Sequence, residues 1–183
     1  MFPRNYFRHK SIRDPLYGFV DLSEIETNLL DTPVFRRLHF IKQLSHAYVV
    51  YPSAIHTRFE HSLGCVYIAN KMCTELNFDD DRREIVRISA LLHDIGHGPF
   101  SHLFEQIIKK INPKLSEPHE VISRIIINED HDIDAILKEK KQRVIELLEK
   151  KRTADWESSG KSLSSDIVSS GLDADKLDYL RRD

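Results

Sequence analysis

Apolar side chains recur every three or four residues along most of the chain, and this spacing predicts amphipathic helices. The pattern is strongest in two stretches, from about residue 59 to 76 and from about residue 81 to 95. A helix in each stretch would bury one apolar face against the core. The residues on these two faces are Leu63, Val66, Cys73, Leu76, Ile85, Ile88, Leu91, Leu92 and Ile95.

The N-terminal segment differs from the rest of the chain because it carries turn and strand signals. Pro15 and Gly18 mark a turn within residues 11–22, and an apolar alternation follows at Phe19 and Val20. This pattern predicts a short strand or hairpin before the first helix. Little else in the sequence indicates sheet.

Two helix starts follow this hairpin. Ser23 with Glu26 three residues later is the capping-box pattern, which predicts a helix to about Leu30. Thr32 and Pro33 predict the start of another helix, because threonine caps and proline is tolerated at the first position. The apolar residues on one side of this second helix would be Phe35, Leu38, Ile41 and Leu44.

Further helices are predicted over residues 101–111, 119–127 and 132 to about 151. Residues 48–57 are predicted to be extended or irregular, since Pro52 disfavours helix at the residue before it. The serine-rich residues 153–165 predict a mobile loop. A chain of 183 residues suits one domain, residues 1–183, with a sizeable core.

Composition and charge argue against several classes of function. The 27 basic residues nearly cancel the 29 acidic ones, so the overall charge gives no reason to expect binding to nucleic acid or to a membrane surface. The N-terminus lacks the apolar region of a signal peptide, and no apolar run approaches the roughly 20 residues that span a bilayer. We therefore expect a soluble, cytoplasmic protein. Cys65 and Cys73 lack CxxC spacing and are expected to be buried free thiols.

Ten histidines make the composition unusual, and several share the middle of the chain with carboxylates. His93 and Asp94 are neighbours whose side chains project about 100° apart on a helix. Gly96 and Gly98 are expected to end this helix and to bring the backbone close to whatever the site holds. Polar groups that leave an apolar helix are costly to bury unpaired, so a metal or ligand is the expected compensation.

Three segments of the chain resemble the H…HD…D signature of the HD phosphohydrolase superfamily. They contain His61, then the pair His93 and Asp94, and then Asp175. Within the superfamily, the chain is most similar to the deoxynucleoside triphosphate triphosphohydrolase branch. Further segments that match this branch in the same order begin at Arg13, Asp31, Ile41, Tyr51 and His119.

This resemblance implies an all-α HD-domain helical bundle with a small N-terminal hairpin. It also implies that His61, His93, Asp94 and Asp175 hold one divalent metal ion, with open positions for water and substrate. Mixed imidazole and carboxylate ligands suit Fe, Mn, Zn or Mg, and the sequence does not choose among them. The implied reaction is attack of water on the α-phosphorus of a deoxynucleoside triphosphate, which releases the deoxynucleoside and intact triphosphate.

The resemblance also assigns roles around the metal. Arg58 is expected to contact phosphate, because a guanidinium forks onto two oxygens. His102, with Glu105 and His119 nearby, is expected to protonate the 5′-oxygen of the leaving group. His97 is expected near the phosphate or behind the metal ligands. The remaining residues assigned to substrate binding are Gln43, Tyr179 and Lys176.

Several of these assignments have a simpler alternative. His119 and Glu120 equally fit the start of a helix, and Tyr179 equally fits a core aromatic. Asp173 and Asp178 are expected to cap a helix or to support the metal ligands. The histidines expected at structural or surface positions are His39, His46, His56 and His131.

Two departures from the branch limit which of its properties can be expected of this chain. In regulated relatives an activating nucleotide contacts the segment that begins at Asp31, but Arg36 and His39 stand where the human enzyme has Gln and Arg. Activation by a guanine nucleotide is therefore not carried over. Relatives continue well beyond the motif around Asp175, so the chain is expected to be a fragment or a minimal form, and the full-length form to be a homo-oligomer.

Two alternative functions stay open. One is hydrolysis of another nucleotide phosphoester, such as a nucleoside monophosphate or a cyclic dinucleotide, by the same kind of site. The other is a catalytically idle module that binds nucleotides or nucleic acid, against which the complete ligand set and the balanced charge both argue. The expected partner is a small-molecule nucleotide substrate, with no membrane or nucleic-acid partner.

Overall fold

Helices dominate the computed structural model, which describes residues 8–149 and 161–183. These helices are α1 (Glu24–Asp31), α2 (Pro33–Arg36), α3 (Arg58–Glu75), α4 (Asp80–Leu92), α5 (His102–Ile111), α6 (Pro118–Glu129), α7 (His131–Leu137), α8 (Lys141–Leu148), α9 (Lys161–Val168) and α10 (Ala174–Arg182). Short 3-10 turns cover Arg37–Phe40, Ala47–Val49 and Lys138–Lys140. The predicted all-α fold with a small hairpin is confirmed. Within the described ranges, no helix has the length and apolar character needed to cross a membrane.

The N-terminal hairpin lies where the turn signals predict it. Strand β1 (Lys10–Asp14) pairs with the antiparallel strand β2 (Gly18–Leu22). Gly18 closes the turn with a φ of +78°, a left-handed conformation that glycine adopts without steric cost. Val20 is buried, whereas Phe19 is 66% exposed, so the inward face of β2 begins at Val20 and not at Phe19.

Helices α3 and α4 form the centre of the domain. Thr57 and Glu60 form a capping box at the start of α3, and the side chain of Asp79 caps α4. Helix α10 packs on α3, while α8 and α9 pack on α4. The apolar faces predicted for these two stretches are buried, except that Leu76, which follows the last residue of α3, is 44% exposed. The predicted capping box at the start of α1, built on Ser23, is also present.

The helix predicted to begin at residue 33 is much shorter than expected. Helix α2 has one turn, a 3-10 turn follows, and Leu44 lies outside both. The backbone instead pairs with the segment that leads into α3. The Gln43 amide donates to the His56 carbonyl at 3.1 Å, and the Arg58 amide donates to the Ile41 carbonyl at 2.8 Å. These long-range hydrogen bonds replace the local helical ones.

The prediction of a single long helix over residues 132–151 is also wrong. Lys138 has a φ of +51°, and this left-handed residue separates α7 from α8. The break allows α7 to pack on α1 and α6, while α8 packs on α4, α6 and α9. Packing between distant segments therefore overrides the continuous helical pattern. The last two residues of the prediction, 150 and 151, lie outside the described ranges.

The loop predicted over residues 153–165 is helical where the structure describes it. Residues 153–160 lie outside the described ranges, and residues 161–165 belong to α9. Ser164 is buried, and its Oγ accepts a hydrogen bond from Nε of Arg82 on α4 at 2.7 Å. A buried serine with a side-chain partner stabilises a helix that composition alone indicates as loop.

Candidate active site

Four polar side chains from three helical segments converge at the C-terminal end of α4. His61 lies on α3, His93 and Asp94 follow the last residue of α4, and Asp175 lies in the first turn of α10. Asp175 Oδ1 lies 3.0 Å from His61 Nε2 and 3.8 Å from His93 Nε2. Asp94 Oδ2 lies 3.6 Å from His61 Nε2, and Asp94 Oδ1 lies 3.4 Å from His93 Nε2. These four residues, predicted as metal ligands, are called the first cluster below.

Both imidazoles of the first cluster are oriented by a contact at Nδ1. His61 Nδ1 lies 2.8 Å from Asp178 Oδ2, and His93 Nδ1 lies 2.8 Å from the Ala90 carbonyl oxygen. Each ring therefore turns its Nε2 toward the carboxylates. His93 Nε2 is buried without a hydrogen-bond partner. An open buried nitrogen among carboxylates fits a divalent cation, and the mixed imidazole and carboxylate donors suit a transition metal.

Burial and charge act in opposite directions on the first cluster. Burial disfavours ionised Asp94, but the charges of His93 and Arg58 outweigh this effect and hold the pKa of Asp94 well below its usual value. Burial also lowers the pKa of His93, but Asp94 and Asp175 outweigh it and raise the pKa of His93 to about 9. In the metal-free protein His93 therefore carries a proton at neutral pH, which a cation must displace.

A second group of side chains, His97, His102, Glu105 and His119, lies beside the first cluster. Glu105 Oε1 lies 2.9 Å from His97 Nδ1, 3.0 Å from His119 Nδ1 and 3.4 Å from His102 Nδ1. The rings of His97 and His119 stack with their centroids 4.3 Å apart. All four residues predicted as catalytic thus lie together, and they are called the second cluster below.

The second cluster runs from the protein interior to the surface. His97 Nε2 lies 3.4 Å from Asp94 Oδ1 in the first cluster, whereas the side chain of His102 is 68% exposed. Burial opposes ionisation of Glu105, but the surrounding imidazoles outweigh it and hold the pKa of Glu105 far below its usual value. Burial lowers the pKa of His119, but Glu105, Asp94 and Glu120 together outweigh it and raise that pKa. A buried carboxylate coupled to an exposed imidazole suits acid–base chemistry.

Arg58 is buried at the start of α3 and pairs with protein groups. Its Nη1 donates to Asp94 Oδ2, and its Nε donates to Ser101 Oγ at 2.9 Å. Its Nη2 is buried without a hydrogen-bond partner. The two-oxygen phosphate contact expected of Arg58 is therefore restricted, because only Nη2 is uncommitted.

A cleft of about 220 Å³ opens beside the first cluster. The predicted site residues that line it are His93, Asp94, His119, Asp175 and Lys176. Lys176 Nζ donates to Asp173 Oδ2 at 2.9 Å, and the Asp173 side chain also caps α10. Gln43 and Tyr179 are not among the residues that line this cleft: Gln43 Oε1 is buried without a partner, and Tyr179 is half-buried on α10.

A buried network anchors α10 to α3. Besides its contact with His61, Asp178 accepts a hydrogen bond from Arg182 Nε at 2.8 Å, and Arg182 Nη2 lies 3.0 Å from Asp14 Oδ2. Gly64 permits this approach, because a Cβ at that position would lie 1.9 Å from Asp178 Oδ1. Arg182, Asp14 and Gly64 were not predicted from the sequence, since no local pattern connects the hairpin, α3 and α10.

The loop after α4 is fixed by two further residues that were not predicted from the sequence. Arg37 donates to two backbone carbonyls of this loop, and Ser123 Oγ accepts a hydrogen bond from the Gly96 amide at 2.8 Å. A Cβ at Gly96 would lie 2.2 Å from the His119 carbonyl oxygen. Gly96 therefore allows the loop to pack on α6, which differs from the predicted approach of its backbone to the contents of the site.

The histidines predicted at structural or surface positions lie outside both clusters. They are His39 and His46, which stack on Phe59 and Phe100, His56, whose Nε2 lies 2.9 Å from Asp183 Oδ1, and His131, whose side chain is 97% exposed. Both cysteines are buried and free, as predicted. Cys65 Sγ lies 3.5 Å from His61 Nε2, a proximity that the sequence did not indicate.

Three comparisons with known proteins show what the chain is similar to. A family model described as HD domain matches residues 58–183. The deoxynucleoside triphosphate triphosphohydrolase SAMHD1 of Homo sapiens is 35% identical over 95% of this chain and 33% of its own length. The uncharacterized protein MJ1154 of Methanocaldococcus jannaschii is 41% identical over the same shares. A crystal structure of a hypothetical protein from Aquifex aeolicus matches with a TM-score of 0.79 and 38% identity, over 94% of this chain and 45% of that one. The chain spans about a third of the length of these curated relatives.

Proposed function

The chain belongs to the HD domain family, and from this membership we propose that it hydrolyses nucleotide phosphoesters with the help of a divalent metal ion. The specific reaction proposed is hydrolysis of a deoxynucleoside triphosphate to deoxynucleoside and triphosphate, as the name of the human relative suggests. One observation carries this proposal. Three metal donors of the first cluster, His93, Asp94 and Asp175, line the same cleft as His119 of the second cluster. His119 in turn contacts Glu105, the carboxylate beside His102.

The four residues of the first cluster are proposed to hold the metal ion. When bound, a divalent cation lowers the pKa of a coordinated water and polarises a phosphoryl oxygen. Asp178 and the Ala90 carbonyl orient the two imidazoles, so both present Nε2 to the centre. The buried guanidinium of Arg58 lies against Asp94 and favours the ionised carboxylate that a cation requires.

His102 is proposed to donate a proton to the 5′-oxygen of the leaving deoxynucleoside. A 5′-alkoxide is too basic to leave readily at neutral pH, and a positioned acid contributes roughly 10²–10⁴-fold. Glu105 lies 3.4 Å from His102 Nδ1, so it orients the ring and leaves the other nitrogen for substrate. His97 and His119 contact the same Glu105 oxygen and keep it in place.

Lys176 and Arg58 are the proposed phosphate contacts. Lys176 Nζ has three hydrogens, of which two bond Asp173 and the Ser170 carbonyl, so one is available to an anion in the cleft. Arg58 would contribute through Nη2, its uncommitted nitrogen. The sugar contacts of Gln43 and Tyr179 stay predictions from the family resemblance.

Product analysis tests the proposed function. Protein loaded with Mn²⁺ is offered deoxynucleoside triphosphates, ribonucleoside triphosphates and cyclic dinucleotides, and the products are separated by ion exchange. Equal amounts of deoxynucleoside and tripolyphosphate are expected. Orthophosphate, pyrophosphate or a linear dinucleotide would assign the site to another phosphoester reaction. If the wild-type protein forms no more product than a His93→Ala/Asp175→Asn variant, this result contradicts hydrolysis altogether.

A further inference from the structure

The second cluster is crowded in a way that hydrogen bonding does not explain. His97 Nδ1, His119 Nδ1 and Glu105 Oε1 are all buried, and none has a hydrogen-bond partner. Yet the two nitrogens lie only 2.9 and 3.0 Å from that oxygen. The distances are those of hydrogen bonds, but the directions are not. Three buried polar atoms therefore meet in contacts that lack the geometry of a hydrogen bond.

From this arrangement we propose that His97, Glu105 and His119 form a second binding site for a divalent transition metal. The site is separate from the first cluster and goes beyond the proposed hydrolytic function. Donors around a tetrahedral ion with bonds of about 2.0–2.1 Å lie roughly 3.4 Å apart. The donor atoms of the second cluster all lie within 4.8 Å of one another. The two imidazole nitrogens, now 2.9 and 3.0 Å from Glu105 Oε1, would have to move outward by about 0.4 Å to reach the tetrahedral spacing.

The donor chemistry indicates which ions this site would take. Two imidazoles with one glutamate carboxylate are the protein ligands of several zinc sites that keep a fourth position open. Imidazole donors favour zinc, iron, nickel or copper over magnesium and calcium. His97 and Glu105 are buried, which removes the competing solvation of their donor atoms. His102, at the exposed rim, lies outside the three-residue set, and an ion bound through Glu105 Oε1 would replace the contact of that oxygen with His102 Nδ1.

One feature of His97 supports its role as a ligand. Its Nε2 lies 3.4 Å from Asp94 Oδ1, so a carboxylate stands behind the ring whose Nδ1 faces Glu105. Such an outer carboxylate orients a ligating imidazole and increases its basicity. The same ring therefore connects the two clusters, and an ion in either one would influence the other.

Zinc stoichiometry in four proteins tests the second site. The first-cluster variant is His93→Ala/Asp175→Asn, the second-cluster variant is Glu105→Gln/His119→Asn, and the fourth protein combines both. Each is loaded with zinc sulfate, desalted and measured by elemental analysis. We expect two zinc ions in the wild type, one in each variant and none in the combination. His131→Ala, which removes an exposed histidine, should retain two.

One zinc ion in the wild type, or two in the second-cluster variant, would overturn the second site. If the first-cluster variant is unfolded by circular dichroism, the wild type and the second-cluster variant still decide the question. A second measurement is zinc X-ray absorption of the folded first-cluster variant, where we expect two imidazoles in the ligand shell. A shell of oxygen atoms alone would reject the site. Because both readouts count or describe bound zinc, they are independent of hydrolysis.

Discussion

The two clusters use similar side chains but are supported differently. The first unites α3, the end of α4 and α10, and each of its imidazoles has a fixed partner behind it, Asp178 or the Ala90 carbonyl. The second draws on the loop after α4, on α5 and on α6, and its rings crowd around one oxygen of Glu105. The role of a histidine or carboxylate therefore depends on the groups that contact it. In the first cluster, residues distant in the sequence fix the metal donors, whereas the second cluster is built from neighbouring segments and extends to the surface.

The largest expected effect comes from removing two ligands of the first cluster. His93→Ala/Asp175→Asn should lose the metal ion of that cluster and reduce hydrolysis to background, because neither water nor phosphate is then activated. These two side chains are the most exposed of the cluster, at 13% and 35%, so the fold should survive. Metal content and nucleotide turnover are measured beside His131→Ala. Turnover equal to that of the control would show that the first cluster is not the reaction centre.

The second cluster should affect chemistry more than binding. His102→Ala should lower kcat by roughly 10²–10⁴-fold while the metal content and the KM stay near wild type, since proton donation acts mainly in the transition state. His102 is largely exposed, so its loss creates no cavity. Steady-state kinetics with a deoxynucleoside triphosphate decide the matter. A mutant with wild-type kcat would transfer the role to His119 or His97.

Stability should distinguish the clusters as well. Asp94→Ala leaves the buried guanidinium of Arg58 without its carboxylate, and losing one partner of a buried ion pair costs roughly 3–5 kcal/mol. Asp94→Asn retains an oxygen acceptor and should cost less. Glu105→Gln leaves no arginine unpaired and should also cost less. Urea unfolding of the metal-free proteins measures all three. A loss for Asp94→Ala no larger than that for Glu105→Gln would mean that the Arg58 pair does not stabilise the fold.

Local signals predict the elements whose boundaries are set locally. The apolar spacing locates α3 and α4, and the capping pattern at Ser23 locates the start of α1. The capping box of Thr57 and Glu60 is an equally local signal that the sequence analysis overlooked. The early end of α2 and the break at Lys138 depend on pairing and packing between distant segments. Propensity and periodicity carry no information about such contacts.

The same difference between local signals and long-range contacts applies to the site. The family motif predicts which side chains meet, but it does not indicate what holds them. The family resemblance assigns Arg58 to phosphate binding, yet the packing of α3 against the loop after α4 pairs it with Asp94 and Ser101. The sequence does not show why residue 64 is glycine. In the structure α10 packs over this position, and Asp178 occupies the space that a Cβ would take. Supporting residues of this kind are recognised only from the three-dimensional contacts.

The smallest expected effect is the pH dependence of metal binding at the first cluster. Burial lowers the pKa of His93, but Asp94 and Asp175 outweigh it and raise that pKa to about 9. Protonated imidazole does not ligate, so a cation must displace this proton. Because the pKa of His93 is raised, the affinity of the first cluster for the cation should increase by about tenfold per pH unit from neutral pH and level off near pH 9.

Calorimetry with Mn²⁺ on the Glu105→Gln/His119→Asn variant measures binding at the first cluster alone. Repeating it in two buffers with different ionisation enthalpies counts the released protons. Release of at least one proton per ion is expected at neutral pH, and more if His61 is also protonated, because Asp175 and Asp178 outweigh burial and raise the pKa of His61 as well. An affinity that is constant between neutral pH and pH 9 would show that His93 is already neutral and that the carboxylates do not hold its proton.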